Sequence, residues 1–198
     1  MSIFKNLYLV IIAVLLLSLS CERKDSTKET KVDQVKKEMD IISDSLNTAW
    51  KNMDANDSSK LADVERLLKE ISYTSDYDVA LHDSLVKQLP VLKSKKYDES
   101  LNLDSMDAYD NMTDAYIRKV YELKNKSKEI NQHDLADRLV EDINRANSVE
   151  TIVTLRKRYD NWAKAYNSYL EKHQKQLEKL GEPYASMKEK AEMMPLEK

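Results

Sequence analysis

One glycine, one cysteine and three prolines among 198 residues are few enough to exclude whole classes of protein. Ordinary chains carry glycine at roughly 7%. Gly181 alone cannot build a Rossmann fingerprint, a P-loop or a kinase-type loop, each of which needs several glycines. Nor can it serve the repeated tight turns of a β-sandwich. A lone cysteine excludes an internal disulfide framework and every multi-cysteine zinc or iron–sulfur centre. His-Glu-x-x-His, the Glu-x-x-His of di-iron bundles and the Gly-x-Ser-x-Gly elbow are all missing. His82, His133 and His173 lie far apart in the chain. With a formal net charge of −3 there is no basic excess of the kind nucleic acid attracts. The expectation is a non-enzymatic chain with no cofactor, no bound metal and no nucleic-acid partner.

What is present begins with a leader. Lys5 is the only charge in the first twenty residues, an apolar run extends from Leu7 to Leu17, and Ser18-Leu19-Ser20 precede Cys21. A basic start, a short apolar core and small residues before a cleavage point make a secretory signal. The run is short for a spanning helix, which wants about 18 or more apolar residues. The cysteine directly after it resembles the lipidated residue of a bacterial lipoprotein signal. Acyl chains of the palmitate type anchor by burying methylenes, about 0.8 kcal/mol each, and more than one makes attachment stable. An uncleaved membrane anchor with an incidental cysteine is the alternative. On either reading the rest of the chain lies outside the cytoplasm, in the cell envelope. Glu22 rather than Asp follows the cysteine, which favours the outer membrane in a cell that has one.

Removing residues 1–20 takes away one lysine and no carboxylate, so the net charge moves from −3 to −4. Residues 21–31 are the lipidated cysteine and a polar tether without an apolar side chain in ERKDSTKETK. Residues 32–181 carry helical periodicity. Val35, Met39, Ile42, Leu46, Ala49 and Met53 form a heptad seam. It resumes at Leu61, Val64, Leu68 and Ile71 after a one-residue slip at Asn56-Asp57-Ser58-Ser59. The spacing predicts one long helix with a stutter; a turn between two helices is the alternative.

A second helix is expected from about 78 to 95, kinked or ended early by Pro90. A third runs from about 103 to 130 on Met106, Tyr109, Met112, Tyr116, Val120 and Leu123. Leu135, Leu139 and Ile143 continue a stripe after a possible break at 131–133. The last helix has Ser148 as N-cap and Ile152, Leu155, Tyr159, Trp162, Tyr166 and Tyr169 as its inward stripe. Gly181 and Pro183 end it. Residues 182–198 read as a tail, either a short frayed helix or disordered. The fold class is all-α, an antiparallel bundle of about four long helices.

Two stretches resemble the LemA family of bacterial envelope proteins. The first is Ala49-Trp50, then Met53-Asp54, then Val64 and Leu67-Leu68. The second is Arg156, Tyr159, Asp160, Ala163, Tyr166 and Asn167, where the family shows Arg-x-x-Tyr-Asn-x-x-Val-x-x-Tyr-Asn. Asp160 stands for the first Asn and Ala163 for the Val; Glu65 stands where the family has proline, and its Phe-Pro after the second motif is missing. The resemblance implies a helical-bundle envelope protein. It brings no established activity and no catalytic residues. Tyr159, Trp162, Tyr166 and Tyr169 read first as a core stripe against the first helix near Trp50, with Asp160 and Asn167 fixing register to a facing helix. A groove for a partner protein of the envelope is the functional alternative.

Two carboxylate sets are candidates for cation binding. Asp54, Asn56, Ser58 and Glu65 match EF-hand positions, but Ser59 stands at the obligatory glycine. Asp104, Asp107, Asp110 and Asp114 cluster on the third helix, where an acidic first turn also suits the helix dipole. They support the second functional reading, an extracytoplasmic small-ligand or cation-binding sensor. The first reading is an interaction or scaffold protein tied to the membrane through its lipid.

Overall fold

A computed structural model describes residues 30–97 and 103–193. The leader, Cys21 and nearly all of the tether lie outside them. Among the described residues there are five α-helices and no strand: α1 Lys31–Ile71, α2 Val79–Lys93, α3 Leu103–Lys126, α4 Asp134–Ala146 and α5 Val149–Leu180.

Helix α1 starts at a capping box. The Thr30 hydroxyl accepts from the Asp33 amide, and the Asp33 carboxylate accepts from the Thr30 amide, both at 3.1 Å. The helix then runs 41 residues without a break, about 60 Å at 1.5 Å per residue. It crosses the stutter as the spacing predicts. Met53, Asp57, Lys60, Leu61 and Val64 are all buried, so the seam passes through the polar step rather than around it.

Helix α2 is capped by Asp78, whose carboxylate accepts from the Leu81 amide. It ends three residues past Pro90, at Lys93. The third stripe divides where the sequence hinted. Helix α3 stops at Lys126, a short 3-10 turn spans Ile130–Gln132, and α4 begins at Asp134. Five helices therefore stand where about four were expected. Ser148 caps α5 through the Thr151 amide, and Gly181 closes it at φ 71°, a left-handed conformation that a side chain would strain.

The side-chain contacts set directions. Asn56 at the middle of α1 meets the end of α4, while Glu38 near its start meets Tyr169 late in α5. Helices α4 and α5 thus run in succession antiparallel to α1, one beside each half of it. Two cores result. The first joins the second half of α1 to α2, α3 and α4 and is mostly aliphatic: Leu67, Leu68, Ile71, Leu85, Leu123, Leu139 and Ile143 are all almost fully buried. The second joins the first half of α1 to α5, with Met39, Ala49, Met53, Tyr159, Ala163 and Tyr166 inside.

Over its described residues, 182–193, the tail is packed against the body, contrary to the expected fraying. After Gly181 it makes a 3-10 turn at Tyr184–Ser186 and then lies extended along α5. Tyr184 donates to Asp40 at 2.6 Å, and Met193 is 4% exposed within the second core.

Candidate functional site

The two family-like stretches come together at the waist between the cores. Ala49 and Met53 are buried and Trp50 is half-buried. The Trp50 ring stands edge-on to Tyr159 at 6.0 Å and to Tyr97 at 6.1 Å, and Tyr97 meets Tyr109 at 5.6 Å. Edge-to-face pairs at such distances add to simple burial, since the ring edge is positive and the face negative. This aromatic chain links one core to the other.

Beneath it lies a polar network. Tyr109 donates to Asp57 at 2.6 Å, Asp57 pairs with Lys60 at 3.0 Å, and Lys60 donates to the Asn147 carbonyl oxygen at 3.2 Å. Asn147 donates in turn to Asp114 at 2.9 Å. Asp57 and Lys60 are only 6% and 5% exposed. Buried charges survive when paired and hydrogen-bonded; here each has such partners. Arg156 pairs with Asp110, and Lys96 with Asp54 at 2.6 Å. Burial pushes the Tyr97 phenol up to about 12, and burial with the Asp57 carboxylate raises Tyr109 also. Burial pulls the Arg156 guanidinium down, but the hydrogen bond to Asp110, the Asp110 charge and Tyr97 together more than reverse this, so its pKa is raised.

Other motif residues go elsewhere. Trp162 packs on the edge of the second core without joining the Trp50, Tyr97 and Tyr159 ring contacts. It is half-buried in a shallow groove of about 280 Å³ beside Asp44, Thr48, Asn52 and Arg158. The inward position of that turn is Ala163. Asp160 and Asn167 bond to the tail. Asp160 accepts from the Met193 amide at 2.7 Å. Asn167 exchanges two 2.8 Å hydrogen bonds with the Lys190 backbone, donating to its carbonyl and accepting from its amide. These two side chains, seven residues apart on one face of α5, clamp the tail as a neighbouring strand would.

The cation sets are dispersed. On the continuous α1, Asp54 and Ser58 bind Lys96, Asn56 binds the Ala146 carbonyl, and Glu65 pairs with Lys93 at 2.6 Å. Among the described residues no group of three or more His, Cys, Asp or Glu side chains is placed to hold a metal ion. No described helix is long and apolar enough to cross a membrane.

Sequence reasoning missed two features. One is the tail clamp, whose signal was the apolar Tyr184, Met187 and Met193 in an otherwise polar tail. The other is a groove of about 450 Å³ between α2 and α3, with Val91, Met112 and Tyr116 in its lining. Its signal was Met112, a seam residue by spacing that is 42% exposed. No family model, curated protein or solved structure matches the chain.

Proposed function

We propose that the chain is an envelope lipoprotein, similar to the LemA family, whose antiparallel helices serve as a membrane-tethered interaction or scaffold body rather than an enzyme. The observation that carries the reading is the order of parts at the amino-terminal side. An apolar leader runs into Cys21, a wholly polar segment follows, and the Thr30 capping box starts the first helix nine residues after the cysteine. A lipidated cysteine on a short tether, ahead of a rigid helical body, is the arrangement an anchored scaffold needs. The waist supports the non-enzymatic reading. Its charged and phenolic groups are committed to one another, and none is a nucleophile beside a base. The grooves on the body are open ones at its surface, which favours macromolecular contact over an enclosed small ligand.

Cys21→Ser tests the reading. Radiolabelled palmitate incorporation should cease and the protein should leave the membrane fraction. Unchanged labelling would remove the lipoprotein assignment and leave the apolar segment as an ordinary anchor.

A further inference from the structure

The groove between α2 and α3 has a chemistry that specifies an occupant. Its floor is apolar, with Leu92, Ala115 and Tyr116 beneath the exposed side chains of Val91 and Met112. Val91 is 58% exposed. Three lysines, Lys87, Lys95 and Lys119, stand in the lining, which holds no carboxylate. Among the described residues none of the three has an ion-pair partner, whereas Lys93 and Lys96 nearby are paired with Glu65 and Asp54. A cationic rim around an unpartnered apolar stripe is complementary to an apolar stripe flanked by carboxylates.

The lysine spacing chooses between occupants. Lys87 lies within α2 and Lys95 in the turn two residues past its end at Lys93, so the two are separated by the last six residues of the helix, about 9 Å of rise, and the turn. Tyr116 donates to the Leu85 carbonyl at 2.7 Å, which sets α3 beside α2 with Lys119 near the Lys87 end. Cations therefore stand at both ends of the groove. A single-headed anionic lipid carries its charge at one end only. An amphipathic helix carries carboxylates along its whole length, and a groove between two helices is a recurring seat for one. Methionine at the contact, here Met112, adapts to varied apolar neighbours.

Resting on the scaffold reading, and naming its partner class, we infer that the α2–α3 groove docks an acidic amphipathic helix of a partner protein. The probe is a synthetic helical peptide with a Leu/Met stripe flanked by glutamates, its binding to the full chain read by fluorescence anisotropy. A control peptide has the same stripe flanked by lysines. The glutamate peptide should bind at least about tenfold more tightly than the control, a difference of about 1.4 kcal/mol, and should weaken as salt is raised.

Combining Lys87→Glu, Lys95→Glu and Lys119→Glu should invert the preference, so that the lysine peptide now binds better. All three side chains lie in an open groove, and an unchanged circular dichroism melt checks that the variant folds. Equal binding of the two peptides, or a triple variant that keeps the original preference, overturns the inference. So does binding to phosphatidylglycerol vesicles without peptide binding, which would make the groove a lipid-contact surface. Self-association abolished by the triple variant, with no peptide binding, would make the occupant a second copy and also overturns it. The Cys21→Ser protein separates this inference from the anchoring proposal, because it should lose the membrane and keep the peptide.

Discussion

The two ends of the molecule solve the same packing problem with different means. At one end four helices surround a core of leucine and isoleucine. At the other the helical walls are mainly α1 and α5, with Met106 of α3 reaching in at the waist, and this leaves an open side to the core between them. The tail supplies the missing wall, held by Asp160, Asn167 and Asp40. The interior changes accordingly, from branched aliphatics to methionine and tyrosine, with alanine at 49 and 163. Methionine fills irregular gaps, and tyrosine can bury its ring while its hydroxyl reaches a polar edge. The difference teaches that the helices near the amino-terminal end of α1 do not close their own core; that end depends on a segment without regular structure.

The largest effect should come from the waist, where the comparison can be broken. Asp57→Ala removes the carboxylate shared by Lys60 and Tyr109 and leaves a buried ammonium without its counter-charge, a change that typically costs about 3–5 kcal/mol. Urea unfolding should show a loss of that order. A loss below about 1 kcal/mol would mean that water reaches the site freely and that the two ends are not locked together there.

The aromatic chain sharpens the contrast at intermediate size. Truncating a fully buried tryptophan costs about 3–5 kcal/mol. Trp50 is half-buried and should cost about 2 kcal/mol on replacement by Ala, with Trp162→Ala clearly less, because its ring sits at a polar surface groove. Trp50→Ala and Tyr159→Ala should be non-additive, since the rings touch. Trp50→Ala and Trp162→Ala should add. Thermal melts of the singles and both doubles decide this. A Trp162→Ala loss equal to that of Trp50→Ala would return Trp162 to the core.

Asn167→Ala should be smaller still, about 1 kcal/mol for its two backbone hydrogen bonds. Its effect should be confined to one end. Trypsin should cut sooner after Lys188 or Lys190, while amide exchange in the Leu67–Ile71 turn stays unchanged. Faster exchange at both ends alike would show one cooperative unit with no weaker half.

The pH response should be the mildest effect near neutrality and should also differ by place. Between α1 and α2, Asp76 is held below the ordinary carboxylate value by the Ser127 hydroxyl and the Lys128 and Glu129 amides. A lowered carboxylate stabilises the fold above its unfolded pKa of about 3.9, and the gain is lost as pH falls through the lowered value. Tyr97 is raised to about 12, so its contribution is intact below the unfolded phenol value near 10 and fades as pH climbs toward 12. Acid should therefore weaken the Asp76 loop and the start of α1, where Asp33, Glu38 and Asp40 are also lowered, and alkali the waist and the four-helix core, where Tyr116 and Tyr121 are also raised, as amide exchange followed across pH would show.

Much of this architecture was legible in the residues. The Ser148 and Gly181 caps, the unbroken α1 and the separation of α4 all follow from local rules that tertiary contacts do not override. Trp162 was misread because hydrophobic size and heptad spacing both favoured it over Ala163. A helix of 3.6 residues per turn drifts from a seven-residue repeat, and close contact between α1 and α5 selects the small side chain for the inward place. The tail was only half legible for a different reason. Its apolar Tyr184, Met187 and Met193 hint that it packs, but Asp160 and Asn167 recognise backbone amides and a carbonyl, which every residue carries, so nothing in the tail shows where it is clamped. The α2–α3 groove was hidden because periodicity marks which side chains are apolar, not whether a neighbour arrives to cover them.

The length of α1 has a bearing on where such a protein does its work. On the proposed lipidation of Cys21, the amino-terminal end of α1, its tail clamp and the α1–α5 pair would be the part nearest the membrane. The α2–α3 groove and the four-helix core sit beyond the midpoint of α1, and the helix alone spans about 60 Å. The eight polar residues between the cysteine and Thr30 add at most about 30 Å when extended. On that proposal, whatever meets the groove would be met at a distance from the surface set by the length of α1 and by the number of residues between the cysteine and Thr30. Shortening that segment would reduce the distance without altering a single contact in the folded body.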